Sequence, residues 1–363
     1  MRARISLCLG VFSVMALSNA IVPILAGFGD STISQGAIYS AYFFGAFLLV
    51  LPAGFLADRI GEIPLIRAGL LLTLVSGLLI MTIPSTLLLI IFRLMEGVGA
   101  GLFVPSALSL INSRPDHETG SGFFMAMLNI GLVAGLIGGG WLVEVSGMPM
   151  SGIILFTAVT AIPALFSYFL APGPARGLPP EPVSGTLERL VRAIREYFWL
   201  WLSTVVILGT TGALTALYPE FSDLSPGILG FTIAAMSLST AVAVVVVSRM
   251  HLSPIPAIRA ASLGMAVAVM LVFITPASFI LVGAIAGVVM IAQLAFLATS
   301  ETRQGVVMGL FNAASYGGMS FMPFAAGFIA ELSSFFIAFL VIACSGVLVA
   351  ATIGRCRCRI PGR

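Results

Sequence analysis

Long apolar runs alternate with short polar breaks from one end of the chain to the other. A helix crosses the hydrocarbon core of a bilayer with about 20 mostly apolar residues. Runs of that kind fall at 5–27, 34–57, 64–83, 86–111, 119–145, 150–171, 196–218, 227–248, 256–274, 277–299, 305–330 and 333–354, which predicts an all-α integral membrane protein with twelve transmembrane helices. The first run also imitates a cleaved leader, with Arg2 and Arg4 ahead of it and a Ser18-Asn19-Ala20 ending. Its apolar character continues through Ile21–Phe28, and without it one half of the chain loses its match, so a retained helix is expected.

The sixth run ends in PGPARGLPPEPVSG (172–185), a Pro/Gly-rich linker. Leu187, Leu190, Val191 and Ile194 then recur at helical spacing, with Glu188, Arg189, Arg192 and Arg195 mostly off that stripe. This is the pattern of a short amphipathic helix lying on a membrane surface. The organisation expected is a first six-helix bundle at 1–171, a linker with its helix at 172–195, and a second bundle at 196–363. The halves echo each other: IPLIRA (63–68) returns as IPAIRA (255–260), GFFMAMLN (122–129) as GVVMGLFN (305–312), and GWLVE (140–144) as GFIAE (327–331). Three echoes in the same order, at equivalent spans, point to duplication and two pseudo-symmetric bundles.

Composition sharpens this reading. Of the 363 residues, 59% are hydrophobic and 9% charged, against roughly 25% charged in a soluble domain. A net charge of +3, with the basic residues dispersed, gives no nucleic-acid surface. Every basic residue apart from the two histidines is arginine, and apart from Arg93 the arginines occupy alternate loops and the ends. The intervening loops near 28–33, 84, 147, 219–226, 275 and 332 have none, so the positive-inside rule puts both termini in the cytoplasm, for a multi-pass protein of the plasma membrane. Without lysine there is no phosphate-cradling loop and no ATP-driven pumping within this chain; no cofactor is expected. Cys356 and Cys358 in the arginine-rich tail are too few for zinc, which takes four ligands, and His117 and His251 lack ligand-spaced partners, so no metal is expected.

Between the second and third runs lies LPAGFLADRIGEIPLIRA (51–68), a hairpin too short to be a domain. Gly54 permits close helix approach, Asp58 caps a helix end or pairs with a base, and Gly61 permits a turn. The spacing of Gly54, Asp58, Arg59 and Gly61 resembles the loop signature of the major facilitator superfamily. That resemblance implies twelve helices in two halves that rock about a central cavity, with this loop as a conformational latch. Where the family has a basic pair after the second glycine, this chain has Glu62 and Ile63, and Arg67 is the expected partial substitute.

The fourth run carries the deeply placed charges. Glu96 lies about 15 Å in from Thr86 at 1.5 Å per residue, and Arg93 is three residues away on the same face. A charge at that depth costs roughly 2.5–3.5 kcal/mol on insertion scales. Two readings stand: an ion pair locking helices together, or a proton or substrate site in which Glu96 exchanges a coupling proton and Arg93 biases it or holds an anion. Arg93, Gly97, Gly99 and Gly101 resemble a second superfamily signature. Gly131, Gly135, Gly138, Gly139 and Gly140 resemble its antiporter signature, with Leu136 where a proline is expected; read physically, the glycines here and at Gly97 and Gly101 are close-packing positions. Asn19, Asn129, Gln293, Asn312 and Tyr316 are candidates to line a cavity, or to bond between helices.

Polar groups within the spans are few, which argues against a sugar or polyanion and for a small lipophilic or amphipathic solute. The expectation is a monomeric, non-enzymatic secondary transporter in the lipid bilayer, exporting a small molecule in exchange for protons. Uptake or facilitated diffusion of a small organic anion, and a non-transporting receptor or assembly role, are the alternatives.

Overall fold

A computed structural model describes residues 2–29, 31–82, 85–113, 117–170, 183–250, 252–298 and 304–356. Most of the Pro/Gly-rich linker, His251 and the end of the arginine–cysteine tail, with Cys358, lie outside the described residues, as do the side chains of Asp58 and His117. Among the described residues the protein is helical without strands: α1 (Arg2–Ala20), α2 (Thr32–Ile60), α3 (Glu62–Ile80), α4 (Thr86–Asn112), α5 (His117–Ser146), α6 (Ser151–Phe166), α7 (Val183–Glu196), α8 (Phe198–Phe221), α9 (Pro226–Val247), α10 (Pro254–Val272), α11 (Ser278–Ala298), α12 (Gln304–Leu332) and α13 (Phe335–Thr352).

Among the described residues, eleven segments, all but α7 and α12, are long and apolar enough to cross a membrane. The twelfth expected span is α12, which has the length, 29 residues, but is diluted by Asn312, Ser315, Tyr316, Ser320, Pro323 and its glycines. The first span is a composite: α1 gives way to a 3-10 turn at Val22–Gly27, where Pro23 sits near its start, and the apolar segment runs on to Gly27. Local chemistry sets several ends. Ser31 and Ser334 cap α2 and α13 by accepting the backbone N–H of Ser34 and Ile337. Between α2 and α3 the chain turns on Gly61, whose φ of 83° lies in the left-handed region that side chains resist.

Two compact units are formed by Met1–Pro180 with Tyr218–Ala234, and by Glu181–Leu217 with Ala235–Arg363. The turn between α8 and α9, with its flanking helix ends, therefore belongs to the first unit. Gln35 Nε2 donates to Glu220 Oε2 at 2.8 Å, and the backbone N–H of Gly227, at the start of α9, donates to Glu144 Oε1 at 3.0 Å.

Inside the first unit α4 lies between α2 and α3. A Cβ on Gly97 would run into the Tyr42 carbonyl and one on Gly101 would crowd Ala46, both on α2, while Gly99 abuts Gly69 and Thr73 on α3. On α5, Gly131, Gly135 and Gly139 press in turn on the backbone of Phe12, Ala16 and Ala20 of α1, a groove four residues to the step. The second unit repeats the scheme. Gly283 and Gly287 of α11 meet Met236 and Thr240 of α9, and Gly318 of α12 meets Val205 of α8. Large apolar side chains such as Leu78, Leu87, Ile130, Val242 and Val267 stay exposed along the spans, as lipid-facing surface must.

Candidate functional site

The charged pair of α4 is fully enclosed: Arg93 and Glu96 are 1% and 0% exposed. Arg93 Nη1 donates to Glu96 Oε2 at 2.6 Å, the one-turn contact that the i, i+3 spacing allows. The guanidinium also lies over the Tyr42 ring, 4.8 Å from its centroid. Tyr42 thus serves α4 twice, its carbonyl fitting the space at Gly97 and its ring forming a shelf for Arg93. A cation on an aromatic face gains about 2 kcal/mol or more where water is excluded. The site is not fully satisfied: Arg93 Nε and Glu96 Oε1 are buried with no hydrogen-bond partner among the described residues. A buried charge in that state is costly; Glu96 Oε1 can accept a proton or a donor, and the Arg93 Nε–H can donate to an acceptor.

Among the other expected site residues, Asn19, Asn129 and Gln293 direct their hydrogen bonds to other partners. Asn19 is half-buried and donates to Met15 O and Ser18 Oγ, and the exposed Asn129 donates to Met125 O of its own helix. Gln293 is buried and donates to Ser203 Oγ at 2.8 Å, with its own Oε1 unpartnered. Asn312 is exposed and Tyr316 half-buried on α12.

In the 51–68 loop, Gly54 faces open space: outside its own helical turn, no atom among the described residues lies within 4 Å of where a Cβ would be. None of the described residues makes the close approach expected there. Arg59 is exposed, and Glu62 accepts from Ser109 Oγ at 3.0 Å. Arg67, the expected substitute for the basic pair, is instead turned into its own bundle. Its Nε and Nη2 donate to Ser167 O and Tyr168 O beyond the end of α6, and its guanidinium lies 5.1 Å from the Tyr168 ring centroid. Its repeat counterpart Arg259 does the same in the second unit, donating from Nε to Ala350 O near the end of α13. Terminal helix carbonyls lack intrahelical donors and carry partial negative charge, so an arginine satisfies both needs.

Sequence reasoning missed three partners. Tyr42 lies within an apolar run, and nothing in the sequence marks it as the shelf for Arg93. Ser203 offered no signal beside other serines and threonines on α8. Glu144 stood inside a repeat, GWLVE, whose matched positions did not disclose a partner for its carboxylate.

Residues 5–300 match the sequence model of the Major Facilitator Superfamily. An uncharacterised MFS-type transporter of Mycobacterium tuberculosis is 29% identical over 204 residues, 52% of this chain and 28% of that protein. The multi-drug resistance efflux pump PmrA of Streptococcus pneumoniae is 42% identical over 100 residues, 26% of this chain and 24% of the pump. The matched stretches thus span about a quarter of the length of these curated relatives. Among solved structures, the nucleoside transporter NupG aligns over 98% of this chain and 99% of its own, with a TM-score of 0.75 at 13% identity. The human organic anion transporter MFSD10 aligns over 97% and 99%, with a TM-score of 0.69 at 16% identity. At such identities the likeness speaks for the fold alone.

Proposed function

The chain belongs to the major facilitator superfamily, and from that premise we propose that it exports a small lipophilic or amphipathic compound across the plasma membrane in exchange for protons. Both termini face the cytoplasm on this reading, and the working unit is a monomer. Efflux is supported by partial matches to a protein named as a multi-drug resistance efflux pump and to one named as a quinolone resistance protein. Coupling through α4 is supported by one observation above all: an enclosed acid–base pair whose acid retains an unpartnered oxygen.

The energetics give that pair a way to act. With Glu96 ionised the pair is neutral overall, and α2, α3 and α4 close around it. Protonating Glu96 removes the counter-charge and leaves Arg93 on the Tyr42 ring alone. An uncompensated buried charge costs about 3–5 kcal/mol, more than the roughly 2 kcal/mol that an aromatic face returns. The protonated site therefore favours a rearrangement that gives Arg93 a new partner, water included. A pH difference of one unit is worth about 1.4 kcal/mol per proton, the same scale as the imbalance it must drive. Because Glu96 already neutralises Arg93, facilitated diffusion with Arg93 as the counter-ion for an anionic solute is the weaker reading.

Reconstituted protein in sealed vesicles under an imposed pH gradient tests the proposal, with a lipophilic fluorescent dye as probe. The intact protein should move dye against its gradient, and Glu96→Gln should reduce this to equilibration that ignores pH. Dye transport by Glu96→Gln that still follows the pH gradient removes Glu96 from the coupling.

A further inference from the structure

In the second unit a basic, aromatic surface flanks the start of α8. Arg355, just past α13, places its guanidinium 5.5 Å from the centroid of the Trp199 ring. Arg259 lies alongside: its guanidinium occupies the space that a side chain on Gly354 would fill. Both arginines are exposed, and neither has a carboxylate partner among the described residues. Next to them, α7 is fixed to α8 by Trp201, whose indole N–H donates to Ala193 O at 3.1 Å, and by the buried ring of Tyr197. So held, α7 and the first turn of α8 present Val191, Ile194 and Phe198, at i, i+3 and i+7, with exposures of 48, 39 and 50%. Among the described residues of α7 the acids are Glu188, paired to Arg192, and Glu196 at its end, against the arginines at 192, 195, 259 and 355.

We propose that Arg259 and Arg355, with Trp199, bind the phosphate of an anionic phospholipid whose acyl chains cover the exposed face of α7. An apolar stripe facing away from the protein, joined without a loop to a membrane span, has the bilayer as its occupant. Two guanidinium forks beside it, neither matched to a carboxylate, suit a phosphodiester, which arginine grips in bidentate fashion. The half-buried tryptophan belongs at headgroup depth, where one side of the ring is apolar and the other wet. This site is separate from the Arg93–Glu96 pair, and its test does not depend on transport.

The full chain in neutral detergent would be titrated with phosphatidylglycerol or phosphatidylcholine, with retained lipid counted by native mass spectrometry and Tm followed in parallel. Phosphatidylglycerol should be retained and raise Tm, with phosphatidylcholine well behind. Since a basic residue at a membrane surface is worth about 1 kcal/mol, Arg355→Gln should weaken retention about fivefold. Trp199→Leu should weaken it further, with lipid-free Tm unchanged in both variants. Arg249→Gln, an exposed arginine elsewhere in the same unit, should change little. Equal retention of the two lipids, equal loss in Arg249→Gln, undiminished retention in Arg355→Gln, or inorganic phosphate matching the lipid's effect on Tm would each overturn the site.

Discussion

The fourth and tenth spans do the same packing work with different chemistry. Gly97 and Gly101 of α4 rest on Tyr42 and Ala46 of α2; Gly283 and Gly287 of α11 rest on Met236 and Thr240 of α9. This register pairs Gly97 with Gly283, so the places held by Arg93 and Glu96 in α4 are held in α11 by Phe279 and Val282, both 0% exposed. One bundle encloses an ion pair at a position that its twin fills with hydrocarbon. The fold therefore does not require charge there. Replacing a buried ion pair with well-packed apolar groups is commonly neutral or stabilising by about 1–4 kcal/mol, which makes a purely architectural role for Arg93 and Glu96 the weaker explanation.

The part that the two spans share should be the most sensitive to change. Gly97→Leu drives a side chain into the Tyr42 carbonyl, and Gly283→Leu does the same at Met236. Each should abolish recovery of monodisperse protein in detergent, read by size-exclusion chromatography. Tolerance at either position would mean the two interfaces are not equivalent. At the other extreme is a position where the halves differ without consequence. Continuing the α2–α9 register places Ser248 opposite Gly54, which has open space around it. Gly54→Ser should shift stability by no more than about 0.5 kcal/mol, as surface changes do, when Tm is measured in detergent. A marked loss would reveal a close contact of Gly54 in another conformation, as a latch requires.

Most of the scaffold was legible from residue type alone, because lipid enforces helices and apolar length announces them. Gly61 declared its turn in the same way. Gly54, Arg67 and the α4–α11 correspondence were harder, for physical reasons. Glycine marks a place where approach is permitted without showing that a neighbour takes it, and Gly54 is left open. An arginine near a membrane edge has many acceptors within its reach, and Arg67 chose carbonyls past the end of α6, about a hundred residues on, over the neighbouring loop. The fourth and tenth spans share spaced glycines but no run of identical residues long enough to notice. Their equivalence emerges only when each glycine is seen against the backbone it touches.

The central claim is that the α4 pair is present for coupling and not for packing. It is tested most directly by giving α4 the residues of its twin, Arg93→Phe with Glu96→Val, and measuring pH-gradient-driven dye export in proteoliposomes alongside Tm. Arg93→Met alone, which strands Glu96, should lose about 3–5 kcal/mol of stability and serves as the internal reference. The double exchange should match or exceed the native Tm and show no export in response to the gradient. Full gradient-driven export by the exchanged protein, or collapse of its fold to the level of Arg93→Met or below, would contradict the account.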